Sequence, residues 1–199
     1  MNPKDFLTNK AFCTIPWQGF MYNFNGEVKN CIRSAGPIGN LKNDGIEQII
    51  HGPINQSNKK NMLQKIAVPA CQSCYILEEN TNSFDIISDR VYYLRELRDL
   101  NLSVYDDVNS FHLTTVDLRW TNLCNFACVY CIPQFSSKWA DELKVTISQP
   151  SEHRITEMKQ YVFDHASQLK QVYLAGGEPL LMKENLEFLE MLKKVNPNV

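Results

Sequence analysis

Three of the seven cysteines in this 199-residue chain fall within eight positions, Cys124-Asn-Phe-Ala-Cys128-Val-Tyr-Cys131. A C-x3-C-x2-C loop of this length can turn three thiolates onto one metal centre. Three ligands are one short of the four that a structural zinc or an iron–sulfur cluster ordinarily takes. A cluster held by three cysteines leaves one iron open to an exogenous ligand, which marks a reactive site. The total of seven, an odd number, does not suit a closed disulfide framework. The first ten residues carry no apolar stretch ahead of a small-residue cleavage site, and no run of 18 apolar residues exists. The expectation is a cytoplasmic chain with no membrane contact, in which reduced thiols bind metal or do chemistry.

The other four cysteines have their own pattern. Cys13 and Cys31 flank Gly26, and Cys71-Gln-Ser-Cys74 adds a C-x2-C pair. Asn25-Gly26 lies between two strand-like runs, 18–24 and 27–32, and marks a β-hairpin whose two turn residues would take positive φ. The hairpin brings Cys31 back toward Cys13. Four thiolates complete one centre, either a four-cysteine zinc or one 4Fe–4S cluster, and spacing alone leaves both open. Either metal would help fold a loop-rich module that lacks a large apolar core.

The remaining elements follow from periodicity. Short helices are expected over 46–51 and 55–66, with Pro69 stopping the second. A longer amphipathic helix is expected over 84–100, and a polar connection over 101–110. From residue 113 the order is strand (113–120), helices (135–147 and 152–168, with Ser151 as an N-cap), strand (171–175), helix (183–195). Strands alternating with helices point to an α/β region with a parallel sheet. The resulting division is a small α+β metal module at 1–80, a helical linker at 81–112 and an α/β region at 113–199. Hydrophobic residues make up 44% of the chain, enough to fill a core, and 20 Lys and Arg against 22 Asp and Glu give no basic excess for nucleic acid.

The second strand ends at Gly176-Gly177-Glu178-Pro179. Paired glycines let backbone come close to a ligand, and a carboxylate with main-chain oxygens can receive an ammonium. Strand, C-x3-C-x2-C loop, helix, strand and Gly-Gly-Glu-Pro, in that order, resemble the radical S-adenosylmethionine (SAM) enzymes. The resemblance implies the start of a partial (βα) TIM-like barrel in which Cys124, Cys128 and Cys131 hold a 4Fe–4S cluster. It implies that the open iron chelates SAM, that Tyr130 lies near the adenine, and that Gly176, Gly177, Glu178 and Pro179 hold the SAM amino group. Reductive cleavage would then give methionine and a 5′-deoxyadenosyl radical for hydrogen abstraction. Cys13, Cys31, Cys71 and Cys74, with Phe12-Cys-Thr-Ile-Pro-Trp17, Gly39-Asn-Leu41 and Cys74-Tyr-Ile-Leu-Glu-Glu79, resemble the twitch form of the SPASM auxiliary-cluster module. That implies a second 4Fe–4S cluster, here ahead of the barrel where more familiar relatives carry it behind. Relatives often modify peptides or proteins and draw electrons from a reductant such as flavodoxin or ferredoxin.

A complete barrel of this family needs about six βα units of about 30 residues or more each. Two strands are legible after residue 113, so the chain reads as the N-terminal part of a longer enzyme that would bind clusters but catalyse poorly alone. Two other classes fit the cysteines: a zinc-bearing module that binds a partner protein, and an electron-transfer protein that never engages SAM. Asp117 and Arg119 share one parity of the first strand and could touch a ligand or pair with each other. Asn122 and Asn125 could cap the cysteine loop. His51, His112, His153 and His165 match no ligand pattern.

Overall fold

The computed structural model describes residues 8–79, 88–95 and 102–199. Strand β1 (Gly19–Asn23) turns back into β2 (Glu27–Lys29) as an antiparallel pair, with Met21 opposite Lys29 and Tyr22 opposite Val28. That register leaves three residues in the turn, not two. Gly26 alone of the Asn-Gly pair takes a positive φ, +93°, and its N–H donates to the Asn23 carbonyl at 2.8 Å. A tight turn followed by a left-handed glycine is the usual three-residue hairpin. The far edge of β2 pairs with the short β3 (Gly39–Asn40).

The other edge of β1 pairs in parallel with β4 (Thr115–Arg119), and β4 pairs in parallel with β5 (Gln171–Leu174). The strand order is β3-β2-β1-β4-β5. One open mixed sheet therefore carries the hairpin of the N-terminal segment and the first two strands of the α/β region. All five residues of β1 are buried, as a strand flanked on both sides requires.

The ladder sorts side chains by parity. Phe20, Tyr22, Val116, Leu118, Val172 and Leu174 point to one face and join the main core. Helices α2 (Ile46–Ile50), α7 (Glu152–Asp164) and α8 (Lys183–Val195) cover it with Ile49, Ile50, Met158, Val162, Phe188 and Leu192. The opposite parity, Met21, Thr115, Asp117, Arg119, Gln171 and Tyr173, lines a cavity of about 590 Å³.

A second, smaller core lies under the N-terminal cysteines. Phe12, Trp17 and Tyr105 pack ring against ring, with Met62, Val68 and Leu94 around them and Cys13 and Cys71 on their border. Trp17 belongs to the single turn α1 (Ile15–Gln18) and Met62 to α3 (Pro53–Leu63). Lys59 of α3 is fully buried. Its Nζ donates to the Val108 and Ser110 carbonyls at 3.1 and 2.8 Å and faces the Trp17 and Phe111 rings. The N-terminal module thus has an apolar core of its own, besides its share of the sheet.

Several boundaries differ from expectation. Helix α3 ends at Leu63, where Lys65 takes φ +62° and its N–H reaches the Met62 carbonyl, well before Pro69. The expected helix over 135–147 is the shorter α6 (Ser137–Glu142), preceded by a 3-10 turn, Pro133–Phe135. Helix α4 (Gln72–Glu78) carries the second half of the C-x2-C pair. Of the helix expected over 84–100, α5 (Asp89–Arg95) is described, and residues 84–87 and 96–100 lie outside the described residues. Ser151 caps α7 through the Arg154 N–H, as its position suggests.

Leu118 sits at the centre of the main core with no exposed surface. Leu118→Ala is expected to lower unfolding stability by about 2–5 kcal/mol. Urea melts that shift in midpoint at unchanged slope check this.

Candidate functional site

Strands β1, β4 and β5 run parallel, so their carboxyl ends lie along one edge of the sheet. That edge of an open α/β sheet is where ligands bind, because the loops leaving the strands splay apart there. The C-x3-C-x2-C loop leaves β4 on this edge and the Gly-Gly-Glu-Pro loop leaves β5.

The cysteine loop is held by side chains that follow it. Ser137 Oγ receives the Cys124 N–H at 3.0 Å and donates to the Cys124 carbonyl at 3.2 Å. Ser136 Oγ caps α6 through the Trp139 N–H and donates to the Phe126 carbonyl. The Trp139 indole donates to the Cys128 carbonyl at 2.9 Å, and the Cys131 N–H closes a turn onto the same carbonyl at 2.9 Å. Asn122 does take a capping role, donating to the Pro133 carbonyl. The Phe126 N–H points at Cys124 Sγ, 3.4 Å away. The loop backbone is therefore fixed while the three thiols stay half-exposed. Tyr130 is 87% exposed and lies beside Cys128, and a hydrogen bond with that sulfur raises its hydroxyl pKa.

Gly-Gly-Glu-Pro is built against this loop. The Glu178 N–H donates to the Leu123 carbonyl at 2.8 Å, one residue before Cys124. A Cβ on Gly177 would lie 2.1 Å from that carbonyl oxygen, and one on Gly176 (φ +123°) would lie 2.8 Å from the Thr121 oxygen. The glycines are needed first for loop-to-loop contact, a use that the sequence reading assigned to a ligand. Glu178 accepts the Leu180 N–H at 3.2 Å, and Asn185 of α8 holds the Pro179 carbonyl at 2.9 Å.

Beneath this edge, Arg119 makes two hydrogen bonds of 3.1 Å to Asp117, so the pair reading holds. Burial raises the Asp117 carboxyl pKa, and Arg119 opposes that. The Arg119 guanidinium also stands over the Phe135 ring at 5.2 Å.

Cys13, Cys31, Cys71 and Cys74 come together. All four line one small pocket with Ile15, Arg33, Asp89, Arg90 and Tyr93. Cys13 precedes α1, Cys31 follows the hairpin, Cys71 ends a 3-10 turn (Pro69–Cys71) and Cys74 sits in α4. Burial pushes every one of these thiols up, Cys31 to about 11 and Cys71 to about 12; neighbouring thiolates add to it at Cys13, Cys31 and Cys71, and the Asp89 and Glu78 charges add to it at Cys74. Hydrogen bonds oppose the rise at each sulfur: the Ile15 N–H at Cys13, the Arg33 and Ser34 N–H groups at Cys31, the Tyr75 hydroxyl at Cys71 and the Arg90 N–H at Cys74. Buried sulfurs that accept hydrogen bonds and repel one another fit a cationic metal core, which removes both penalties at once. Among the described residues, no three His, Cys, Asp or Glu side chains converge on a point that would hold a single metal ion.

Sequence reasoning missed Ser136, Ser137, Trp139, Glu78 and Arg90. Paired serines ahead of a helix are an N-cap signal and could have placed the first two. Glu78 lies inside the quoted 74–79 stretch, which assigned it no role, and no local pattern marks Trp139 or Arg90.

Residues 118–199 match the family model of the radical SAM superfamily, and residues 13–75 match SPASM, an iron–sulfur cluster-binding domain. A GTP 3′,8-cyclase from Nautilia profundicola is 32% identical over 84 residues. That stretch is 40% of this chain and 23% of the cyclase, so the chain matches less than a quarter of that relative's length. No solved structure matches. Among the described residues no helix is long and apolar enough to cross a membrane.

Gly177→Ala is expected to drive the two loops apart and to cost about 1–3 kcal/mol through the broken Glu178–Leu123 contact. Gly36→Ala, where a Cβ meets nothing within 4 Å, serves as the unaffected control in parallel urea melts. The metal-free protein is expected to lose stability as pH rises from about 9. Its raised thiol pKa values make the folded state hold protons that the unfolded chain releases there. Lys59, lowered to about 8, pulls the other way as one group against four. Loading metal removes the alkaline loss, because the bound sulfurs are already deprotonated; melts at pH 8 and 10 with and without metal check this.

Proposed function

We propose that this chain, which belongs to the radical SAM superfamily and carries a SPASM-type iron–sulfur domain, is the part of a radical SAM enzyme that binds both of its clusters. The observation that carries the reading is the hydrogen-bonded contact between the Gly-Gly-Glu-Pro loop and the residue before Cys124. Two motifs with matching chemical roles, more than forty residues apart in sequence, meet on the carboxyl edge of one sheet.

Cys124, Cys128 and Cys131 would hold the first 4Fe–4S cluster, and Cys13, Cys31, Cys71 and Cys74 the second. The first cluster supplies the electron that cleaves the SAM sulfonium and so yields a 5′-deoxyadenosyl radical for hydrogen abstraction. The chain's own residues do the rest. Ser136, Ser137 and Trp139 hold the loop backbone and leave the three thiols half-exposed. Tyr130, exposed beside Cys128, offers an aromatic face to the adenine. Glu178 and the carbonyls of Gly176 and Gly177 offer oxygens to the SAM ammonium, while Asn185 keeps Pro179 in place.

The cavity on the polar face of the sheet is the substrate chamber. Asp117, Arg119, Tyr173, Tyr92, Tyr93 and Cys31 line it, so it reaches from the loop-bearing strand to the auxiliary cysteines. A peptide or protein is the substrate class favoured by the twitch resemblance. A nucleotide, the kind of molecule named in the relative's title, is the second class. The electron donor is a flavodoxin or ferredoxin, and the setting is the cytoplasm, where the thiols stay reduced.

Iron and sulfide analysis after anaerobic reconstitution tests the assignment. About eight irons in the parent and about four in a Cys124/Cys128/Cys131→Ala variant are expected. The parent's cluster EPR spectrum is expected to change on adding SAM and the variant's to stay as it was. Zinc without iron, or a parent spectrum indifferent to SAM, overturns the reading.

A further inference from the structure

The segment between the two matched domains contributes to the auxiliary cysteines. Arg90 of α5 is only 6% exposed. Its Nε donates to both Glu78 oxygens, at 3.0 and 2.9 Å, and its Nη2 makes a further close contact with Glu78 Oε2. Ser88 Oγ donates to the other Glu78 oxygen and caps α5 through the Val91 N–H at 3.1 Å. The Arg90 Nη1 donates to the Phe12 carbonyl at 3.0 Å and approaches the Asn9 carbonyl at 3.4 Å.

Each of these contacts ends beside a cysteine. Phe12 directly precedes Cys13. Glu78 is one helical turn after Cys74 on α4. Asp89, Arg90 and Tyr93 line the pocket of four thiols. One buried arginine thus joins the segment carrying Cys13, the helix carrying Cys74 and the helix that covers them both. Residues 78 and 90 lie outside both 13–75 and 118–199.

We infer that Arg90 and Glu78 are a positioning pair for the auxiliary metal centre: the pair fixes the approach of Cys13 and Cys74, and its two opposite charges set the centre's reduction potential. The inference rests on reading the four cysteines as an iron–sulfur site. A cation beside a cluster favours the reduced, more negative form and an anion disfavours it, so the two residues pull the potential in opposite directions.

The test uses the 199-residue chain with Cys124, Cys128 and Cys131 changed to Ala, so that only the auxiliary centre remains. Reductive titration followed by EPR gives its midpoint potential. Arg90→Gln is expected to lower the midpoint and Glu78→Gln to raise it, with Arg90→Lys between Arg90→Gln and the parent. A purely structural role would loosen the site in both variants and would not give opposite signs. Shifts of the same sign, or no shift in either, overturn the inference. Should Arg90→Gln, by removing the cation that faces the Glu78 carboxylate, fail to fold, Glu78→Gln and Arg90→Lys carry the test, with an upward and a downward shift expected. Absence of iron, with zinc in its place, overturns the iron–sulfur reading separately. Zinc release to a chelator then decides the positioning role: faster release from both variants supports it, and parental rates in both overturn it.

Discussion

The parallel ladder between β1 and β4 is the constraint on which the placement of both cysteine sets depends. Five consecutive backbone positions, Gly19 to Asn23 against Thr115 to Arg119, tie the cysteine hairpin to the strand that launches the C-x3-C-x2-C loop. With the ladder in place, the side-chain parity of β4 is set. Val116 and Leu118 must face the helices, and Asp117 and Arg119 must face the chamber. A slip of one residue would exchange these two faces and bury the ion pair in the apolar core. The distance from the auxiliary thiols to the chamber is therefore set by a sheet, the stiffest element available, and not by a linker.

The two cysteine sets solve different problems. The auxiliary four line one small pocket, with Cys74 buried and the other three half-buried, and desolvation raises the pKa of every thiol there. Side chains from four separate segments converge there, and Cys31 also borders the larger cavity on the polar face of the sheet. The loop of three is held by its backbone and leaves its sulfurs half in solvent. Its rigidity comes from Ser136, Ser137 and Trp139, which act on carbonyls and N–H groups and leave the thiols free to ligate.

Much of this was legible in the sequence, for identifiable reasons. The helix over 183–195 and the strands near 113–120 and 171–175 follow from strong periodicity, and the structure has α8, β4 and β5 there. Grouping Cys13, Cys31, Cys71 and Cys74 needed only the hairpin and the C-x2-C spacing. The joining of the N-terminal hairpin to the α/β region was not legible, because a parallel pairing leaves no local turn signal in either strand. The turn type at Asn25-Gly26 was misread because register, and not the dipeptide, decides how many residues the turn holds. The Arg90–Glu78 contact was invisible for a similar reason: it depends on two helices crossing, and Arg90 stands in no motif.

The same ladder bears on the order in which the molecule can be made. Strand β1 leaves the ribosome with β2 close behind it, but its parallel partner β4 follows only after the whole stretch from 24 to 114 has been synthesised. Until then one edge of a fully buried strand has no backbone partner, and the face bearing Phe20 and Tyr22 lacks α7 and α8 to cover it. Nascent chains in that condition are open to sticking to other chains. The antiparallel hairpin and the small aromatic core around Phe12 and Trp17 must hold β1 in waiting. Metal delivered early to the N-terminal thiols would shorten that wait, making cofactor loading a step of folding as well as of activation.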